Sequence, residues 1–115
     1  MNLFGKEPDL GNIEYKLYIN PKKKDKLVSQ FFFRMREGSG KAIYLLGIHD
    51  SGTLHIKNTK YILYNIIRLT KFFKNKANYK LRIFIKKPYI FSIIKFYNTN
   101  IESPDNITDF SIFNH

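Results

Sequence analysis

The segment from Leu27 to Ile56 constrains the fold most, because a helix must end in it shortly before a β-hairpin begins. Gly38-Ser39-Gly40 separates a helical apolar pattern from an apolar strand, and Gly38 is suited to end a helix in the left-handed conformation. Asp50-Ser51-Gly52 favours a tight turn between two strands. We therefore expect a helix that ends at Gly38, followed by a hairpin of strands 41–48 and 53–56.

Apolar periodicity predicts the elements on either side of this segment. Alternation predicts a first strand over Asn12–Ile19, with one face buried: Ile13, Tyr15, Leu17 and Ile19. A helix capped by Asp25 follows, and its core face is Leu27, Val28, Phe31, Phe32 and Met35. A second helix, capped by Asn58 or Thr59, turns its own face to the core: Ile62, Leu63, Ile66, Ile67, Thr70 and Phe73.

Two more strands complete the predicted fold. Tyr79–Ile85 alternates, with Leu81, Ile83 and Ile85 predicted to point inward, and a turn at Lys86–Pro88 leads into Tyr89–Tyr97. The order β-α-β-β-α-β-β predicts a single α+β domain, with two helices packed on one face of a mainly antiparallel sheet.

We divide the chain into three parts. Residues 1–10 are an N-terminal extension, residues 11–97 a basic domain long enough to bury a core, and residues 98–115 a mildly acidic C-terminal extension. That last part contains apolar side chains that could dock on a surface: Ile107, Phe110, Ile112 and Phe113.

The charge of the chain is strongly positive and unevenly distributed. Its 115 residues include 20 lysines and arginines against 9 aspartates and glutamates, a formal net charge of +11. Every basic residue lies at or before Lys95, whereas the only charged residues of 98–115 are Glu102, Asp105 and Asp109. A compact basic body usually indicates a nucleic-acid partner. A merely solvated basic surface, enriched in lysine by an AT-rich genome, is the alternative explanation.

Composition excludes several classes of protein and site. The chain has no cysteine, so disulfides, thiolate metal sites and cysteine nucleophiles are impossible. Its apolar stretches are interrupted well before the ~18 residues that a membrane span requires. The first ten residues lack the apolar core of a signal peptide. We therefore expect a cytoplasmic protein with no membrane association, monomeric when free.

Two local patterns resemble chemical sites, but each lacks essential parts. Gly38-Ser39-Gly40-Lys41 ends like a phosphate-binding loop, yet Met35 stands where the first glycine is required and Ala42 follows the lysine. His49 and His55 flank the hairpin turn without a third well-placed metal ligand. No catalytic triad or paired acidic set stands out. We therefore expect no enzymatic activity, cofactor, metal or small-molecule substrate.

A binding surface is what remains. Lysines offer mobile charges to phosphate oxygens, and arginines can bind phosphates in bidentate fashion or stack on bases. The residues predicted to bind nucleic acid are Lys22, Lys23, Lys24, Lys26, Arg34, Arg36, Arg68, Lys71, Lys86, Lys87 and Lys95. The aromatic residues predicted to lie outside the core, and to stack on bases or bind a partner, are Phe33, Tyr18, Tyr61 and Tyr64.

A set of spaced residues also resembles a known family. These are Gly11–Leu17 (GNIEYKL), Asn20-Pro21, Leu27-Val28, Gln30, Arg34, Glu37-Gly38, Gly40, Ala42, Tyr44, Gly47, Asp50 and Gly52. The pattern resembles the region before the GTPase domain in the GTP-binding-protein-one and -two family of translational GTPases. The likeness is dense from Gly11 to Leu54 and looser, by element order, to Tyr97. Phe33 stands where that family would be expected to carry tryptophan.

The resemblance implies a stand-alone accessory domain that works on the ribosome, without GTP hydrolysis, because the sequence has no phosphate loop or switch elements. In size, charge and composition the chain is also similar to a ribosome dormancy factor of microsporidian parasites. We therefore expect a non-enzymatic factor that binds rRNA and ribosomal proteins, with a role in ribosome hibernation at a tRNA site such as the E site. The alternatives are a protein-interaction adaptor for a translational GTPase and a general RNA-binding domain.

Overall fold

Two helices and a four-stranded sheet form the structure, which the computed structural model describes over residues 4–55 and 59–98. The elements are β1 (Ile13–Lys16), α1 (Lys24–Glu37), β2 (Lys41–Leu46), α2 (Thr59–Phe72), β3 (Asn78–Lys86) and β4 (Tyr89–Tyr97). The strand order is β1-β2-β4-β3; β1 pairs parallel with β2, and β4 pairs antiparallel with both β2 and β3. The predicted α+β class, with a mainly antiparallel sheet, is confirmed.

The predicted hairpin after α1 is present in a reduced form. Beyond β2 its second arm contributes a single bridge, between Ile48 and Leu54. The turn closes through the backbone N–H of Gly52, which donates to the carbonyl of His49 at 2.8 Å. Gly52 has a φ of +91°, and a side chain there would overlap the backbone oxygen of Phe4. The predicted strand end Ile56 and helix cap Asn58 lie outside the described residues.

The helix α1 ends where predicted, but Gly38 does not adopt the left-handed conformation that the sequence analysis assigned to it. Gly38 has a φ of −97°, so the prediction of a left-handed Gly38 is wrong; Ser39 (53°) and Gly40 (96°) take the left-handed conformation instead. Gly38 is needed for space, since a Cβ there would lie 2.7 Å from the Cβ of Asn12 and would overlap the carbonyl of Lys41. The glycine-lysine loop is therefore a helix end packed against the start of β1.

The larger core lies between the helices and one face of the sheet. Phe31 of α1 stacks on Phe73, just after α2, with ring centroids 4.1 Å apart. The rings of Phe31 and Tyr44 are each nearly perpendicular to that of Phe96, on β4, with centroids 5.5 Å apart. Such aromatic pairs add about 0.5–1.5 kcal/mol each beyond the area that they bury. Both helices therefore pack on the same face of the sheet, as the sequence predicts.

A second core covers the centre of the opposite face. It consists of buried residues from the sheet together with Phe4 and the 48–54 turn. The ring of Phe4 packs against the edge of Phe91 at 5.4 Å, and the Tyr15 hydroxyl donates to the carbonyl of Gly5 at 2.8 Å. Residues 4–7, which the sequence places in an N-terminal extension, therefore supply part of this core.

Several predicted core faces are corrected by the structure. On β1, Glu14 is buried although the alternation assigns it to the solvent face. On α1, Phe32 is 52% exposed and Arg34 takes the fourth buried position, beside Leu27, Phe31 and Met35. On α2, Asn65 is buried while Ile67 is 62% exposed. The strand β1 is covered on both faces, so alternation alone does not identify its buried side.

The edge strand β3 departs further from the prediction. Leu81, Ile83 and Ile85 do lie on one face, but they are between 37% and 62% exposed. Of their partners on β4, Ile94 and Ser92 are buried and Ile90 is partly buried, because the helices pack on β2 and β4. The strand β3 lies at the edge of the sheet, beyond this cover.

One buried ion pair connects the separate parts of this architecture. The Nε of Arg34 donates to Oε1 of Glu14 at 3.0 Å, and both side chains are nearly fully buried. The rest of the guanidinium donates to backbone carbonyls of the preceding segment, at 2.8 Å to Gly11 and 2.9 Å to Pro8. A single side chain of α1 therefore fixes both β1 and residues 8–11.

Arg34→Met should destabilise the protein by about 3–5 kcal/mol, because it leaves the buried Glu14 carboxylate without its main partner. The double variant Arg34→Met/Glu14→Leu should lose less than Arg34→Met alone, since no buried charge is then left uncompensated. Urea unfolding of the three proteins measures this. Equal losses in the single and double variants would contradict the account.

Glu7 is a second acid of this region, half-buried near Glu14. Its carboxylate accepts a hydrogen bond from the backbone N–H of Tyr15. Burial is the main reason that the pKa of Glu7 rises to about 7; the carboxylates of Glu14 and Asp50 raise it further, and the Tyr15 N–H opposes them. The folded protein therefore holds a proton on Glu7 at pH values where the unfolded chain has lost it.

This shift predicts a loss of stability as the pH rises. Between pH 4.5 and about 7 the folded state binds more protons at Glu7 than the unfolded state, so the free energy of unfolding falls across this window. Glu7→Gln should remove this contribution, so that its melting temperature gains on the wild type as the pH rises. Thermal melts at several pH values measure the difference. A constant difference between the two proteins would show that Glu7 does not titrate in this way.

Candidate nucleic-acid interface

A buried amide positions the loop after β1 against α2. The Asn65 side chain is almost fully buried, and its Oδ1 accepts a hydrogen bond from the backbone N–H of Ile19 at 3.0 Å. Its Nδ2 donates to the carbonyl of Tyr61 at 3.1 Å. The hydroxyl of Tyr61 donates in turn to the carbonyl of Leu17 at 3.4 Å. The loop is thus held at two points, with Tyr18 at the surface between them.

Arg68 lies at the centre of the surface that this loop and α2 form. Its guanidinium donates to the Tyr18 hydroxyl at 3.1 Å, to the Ile19 carbonyl at 3.0 Å and to the Tyr64 hydroxyl. It also lies over the ring of Tyr64, 4.0 Å from the centroid, and the ring of Tyr18 stacks near that of Tyr61 at 6.4 Å. We call Tyr18, Tyr61, Tyr64 and Arg68 the Arg68 cluster.

Two grooves flank the Arg68 cluster. The smaller has a volume of about 230 Å³ and is lined by Lys16, Tyr18, Asn20, Lys23, Lys26, Leu27 and Gln30. The larger has about 430 Å³ and is lined by Pro21, Lys24, Tyr64, Ile67, Arg68, Lys71 and Phe72. Each groove thus carries three basic side chains, and none of these lining residues is acidic.

The arrangement suits a polyanion with flat, aromatic parts. The hydrogen bonds that the Arg68 guanidinium donates to the hydroxyls of Tyr18 and Tyr64 hold it in place and raise the pKa of Arg68, so the side chain stays charged. Tyr18 and Tyr64 are about half exposed, which leaves ring surface for stacking. The ammonium group of Lys24 lies 5.6 Å from the centre of the Phe72 ring, so this lysine also has an aromatic neighbour. Lysines for phosphates therefore lie beside rings for bases.

The structure brings most of the predicted residues of this region together. Lys22 and Lys23 lie in the short 3-10 turn Pro21–Lys23, and the first turns of α1 follow it directly. The predicted residues that form the Arg68 cluster or lie around it are Lys22, Lys23, Lys24, Lys26, Lys71, Arg68, Tyr18, Tyr61 and Tyr64. These residues come from two stretches of chain more than thirty residues apart.

Two predicted contacts are corrected because their side chains are buried. Arg34 is only 4% exposed, and its guanidinium is occupied by Glu14 and backbone carbonyls. Lys95 is 3% exposed on β4. Burial lowers the pKa of Lys95, and the positive charges of Lys41 and Lys80 lower it further. Neither side chain is available to a nucleic acid at the surface.

Four other predicted residues lie away from the cluster. Arg36 is exposed in the last turn of α1, about 18 Å along the helix from Lys24. Lys86 is the last residue of β3, the edge strand opposite β1, and Lys87 follows it in the turn to β4; both are exposed. Phe33 is half-buried, with the Arg34 guanidinium 5.4 Å from its ring centre.

Two residues that the sequence did not single out are important for this surface. Lys16 lines the smaller groove, where its Nζ donates to Oε1 of Gln30 at 2.8 Å. Asn65 fixes the loop that carries Tyr18. Its position between Ile62 and Leu69, on the apolar face of α2, was a usable signal, because a polar residue on such a face must find a hydrogen-bond partner.

The two histidines of the hairpin turn contact each other. Nε2 of His49 lies 2.8 Å from Nδ1 of His55, and the rings meet edge to face. Across residues 4–55 and 59–98, no group of three metal-binding side chains forms. Neither helix in this part of the chain is long and apolar enough to cross a membrane.

Comparison with known proteins gives matches to part of the chain. The chain is 45% identical over 51 residues to GTP-binding protein 2 of mouse and of human. The match covers 42% of this chain and 8% of each of those proteins, so it spans a small part of their length. No family model and no solved structure matches the chain. The resemblance to the GTP-binding-protein family is therefore supported for the matched segment alone.

Replacing Asn65 with leucine, a side chain of similar size, should cost about 1–3 kcal/mol, because the buried N–H of Ile19 loses its acceptor. Hydrogen exchange at the Ile19 amide should accelerate as the loop loosens. The control is Asn75→Leu, in the exposed turn after α2, which should change neither quantity. An unchanged exchange rate at Ile19 in Asn65→Leu would mean that the loop is held by other contacts.

Proposed function

We propose that this protein is a non-enzymatic factor that associates with the ribosome by binding rRNA and ribosomal proteins. The observation that carries the proposal is the Arg68 cluster, which lies between two basic grooves with the rings of Tyr18 and Tyr64 about half exposed. The finer part of the proposal is that it acts as a dormancy factor in the cytoplasm and occupies a tRNA site, such as the E site.

The physical basis is the combination of charge and stacking on one surface. Basic side chains that neutralise phosphates release condensed counterions, which gives affinity without sequence preference. Stacking of a base on an aromatic side chain contributes about 1–3 kcal/mol and tolerates any base. A surface of this kind suits exposed, unpaired nucleotides, which structured RNA offers in its loops and bulges.

The ribosomal context is supported by the resemblance to the GTP-binding-protein-one and -two family. The identity with GTP-binding protein 2 extends over 51 residues. In that family, as the resemblance implies, the corresponding region accompanies a translational GTPase. The dormancy role follows from the likeness in size, charge and composition to a microsporidian dormancy factor.

Charge reversal in the larger groove should weaken ribosome binding. We expect Lys24→Glu/Lys71→Glu to bind less tightly than the wild type, with a slope of log affinity against log salt shallower by about 1.5. The matched control is Lys86→Glu/Lys87→Glu, which changes the net charge equally in the β3–β4 turn. Binding titrations of purified ribosomes at several salt concentrations give both quantities. Equal losses in the two variants would show that only the overall charge matters.

Sedimentation with and without ribonuclease tests the ribosomal context itself. The native protein should migrate with ribosomes at low salt, leave them at high salt, and be released when ribonuclease degrades the rRNA. Failure to co-sediment at low salt would refute the proposal. If binding to bare oligonucleotides equals binding to ribosomes, the protein is instead a general RNA-binding domain.

A protein-interaction adaptor is the second candidate. It is favoured by the ring of Phe32, which is 52% exposed on α1, and by the partial identity with a GTP-binding protein. An adaptor would be captured by a translational GTPase in pull-downs that ribonuclease does not affect. Phe32→Ser would then weaken that capture while leaving ribosome sedimentation unchanged.

A further inference from the structure

A wide apolar surface remains open on the helix side of the sheet. It consists of exposed apolar residues on the helix-side face of β3 and on α2, where Ile67 and Tyr79 line one groove. We call it the β3–α2 surface: Leu63, Ile67, Tyr79, Leu81, Ile83 and Ile85. These side chains are between 37% and 62% exposed. A group of exposed large apolar side chains on a small protein usually marks a binding site.

The surface is continuous with the main core. Leu81 pairs with Ile94 and Tyr79 with Phe96, and both β4 partners are fully buried beneath the helices. The Tyr79 ring contacts that of Phe96 at 6.1 Å. The helices cover β4 but not β3. On the same face of the sheet, the side chains of β4 are therefore buried and those of the neighbouring strand β3 are exposed. An added segment would continue this core outward.

The rim of this surface is basic at one end. A groove of about 670 Å³ runs between α2 and the ends of β3 and β4, and it is lined by Ile67, Thr70, Lys71, Lys74, Ala77, Asn78, Tyr79 and Tyr97. None of these lining residues is acidic, so the groove favours an occupant with negative charge.

A second copy of the chain is a poor occupant. The residues that line the groove at the rim of this surface include Lys71 and Lys74 and no acidic side chain, so two copies of it stacked on each other would bring only positive charges to the interface. The occupant should therefore be acidic and partly apolar.

The chain itself supplies such a segment. We propose that residues 99–115 bind the β3–α2 surface, with their apolar side chains on it and their carboxylates toward Lys71 and Lys74. The segment carries Glu102, Asp105 and Asp109, no lysine or arginine, and five large apolar residues: Ile101, Ile107, Phe110, Ile112 and Phe113.

The position of the chain end makes this contact possible. The strand β4 ends at Tyr97, which itself lines the basic groove beside Asn78 and Tyr79. An extended chain advances about 3.3 Å per residue, so residues 99–115 can reach about 56 Å, whereas the nine residues of β3 span about 30 Å. The segment is long enough to cover the whole surface from where it begins.

The test uses the full chain and its lack of cysteine. Ser111→Cys provides a single thiol for a nitroxide label, and nuclear magnetic resonance then reports which backbone amides the label broadens. We expect strong broadening of the amides of residues 79–85 and 63–67, and none in β1 on the opposite edge. The broadening should not depend on protein concentration.

Matched variants separate binding from simple proximity to the end of β4. Phe110→Ser in the segment and Ile83→Ser on the surface should each remove most of the broadening at residues 79–85, whereas the control Thr108→Ser should retain it. Because the Ile83 side chain is partly exposed, its replacement should leave the core intact. Unchanged chemical shifts of the core amides will show this. Broadening confined to residues 95–98, or equal in all variants, would overturn the proposal. Broadening between labelled and unlabelled chains in a mixture would instead identify a second copy as the occupant.

Discussion

The buried pair of Arg34 and Glu14 is the constraint on which the rest of the structure depends. A charge removed from water requires a partner and further hydrogen bonds, and Arg34 finds them in β1 and in the carbonyls of residues 8–11. The pair therefore fixes the position of α1 along the sheet. Arg34 lies near the C-terminal end of α1, and Lys24 at its N-terminal end lines the groove beside Arg68.

The functional surface depends on a second buried polar contact. Asn65 holds the loop after β1 against α2, which brings Tyr18 within hydrogen-bond distance of Arg68. The resulting surface and the apolar β3–α2 surface are neighbours, since Ile67 and Lys71 line a groove in each. The acidic segment 99–115 and a bound RNA would both contact Ile67 and Lys71. The proposed binding of segment 99–115 would therefore compete with RNA for Lys71.

Local signals were sufficient for most of the secondary structure. The apolar period predicted both helices, alternation predicted β3, the turn at Lys86–Pro88 predicted where β4 begins, and the glycine loop after Glu37 marked the end of α1. The errors have a common cause. Periodicity identifies which residues share a face, as with Leu81 and Ile83, but it does not reveal whether another element covers that face. The exposed edge of β3 and the doubly covered β1 are both consequences of strand order, which no local pattern contains.

The sequence by itself determined the element order, the α+β class and the separation of a basic body from an acidic end. These properties follow from residue period and charge, which are local or additive. Only the tertiary structure decided which charges are accessible: Arg34 and Lys95 are buried, whereas Lys24, Arg68 and Lys71 meet around one groove. The reason is that accessibility depends on packing between segments distant in the chain. The same basic residue becomes a structural ion pair or a binding group according to what lies over it.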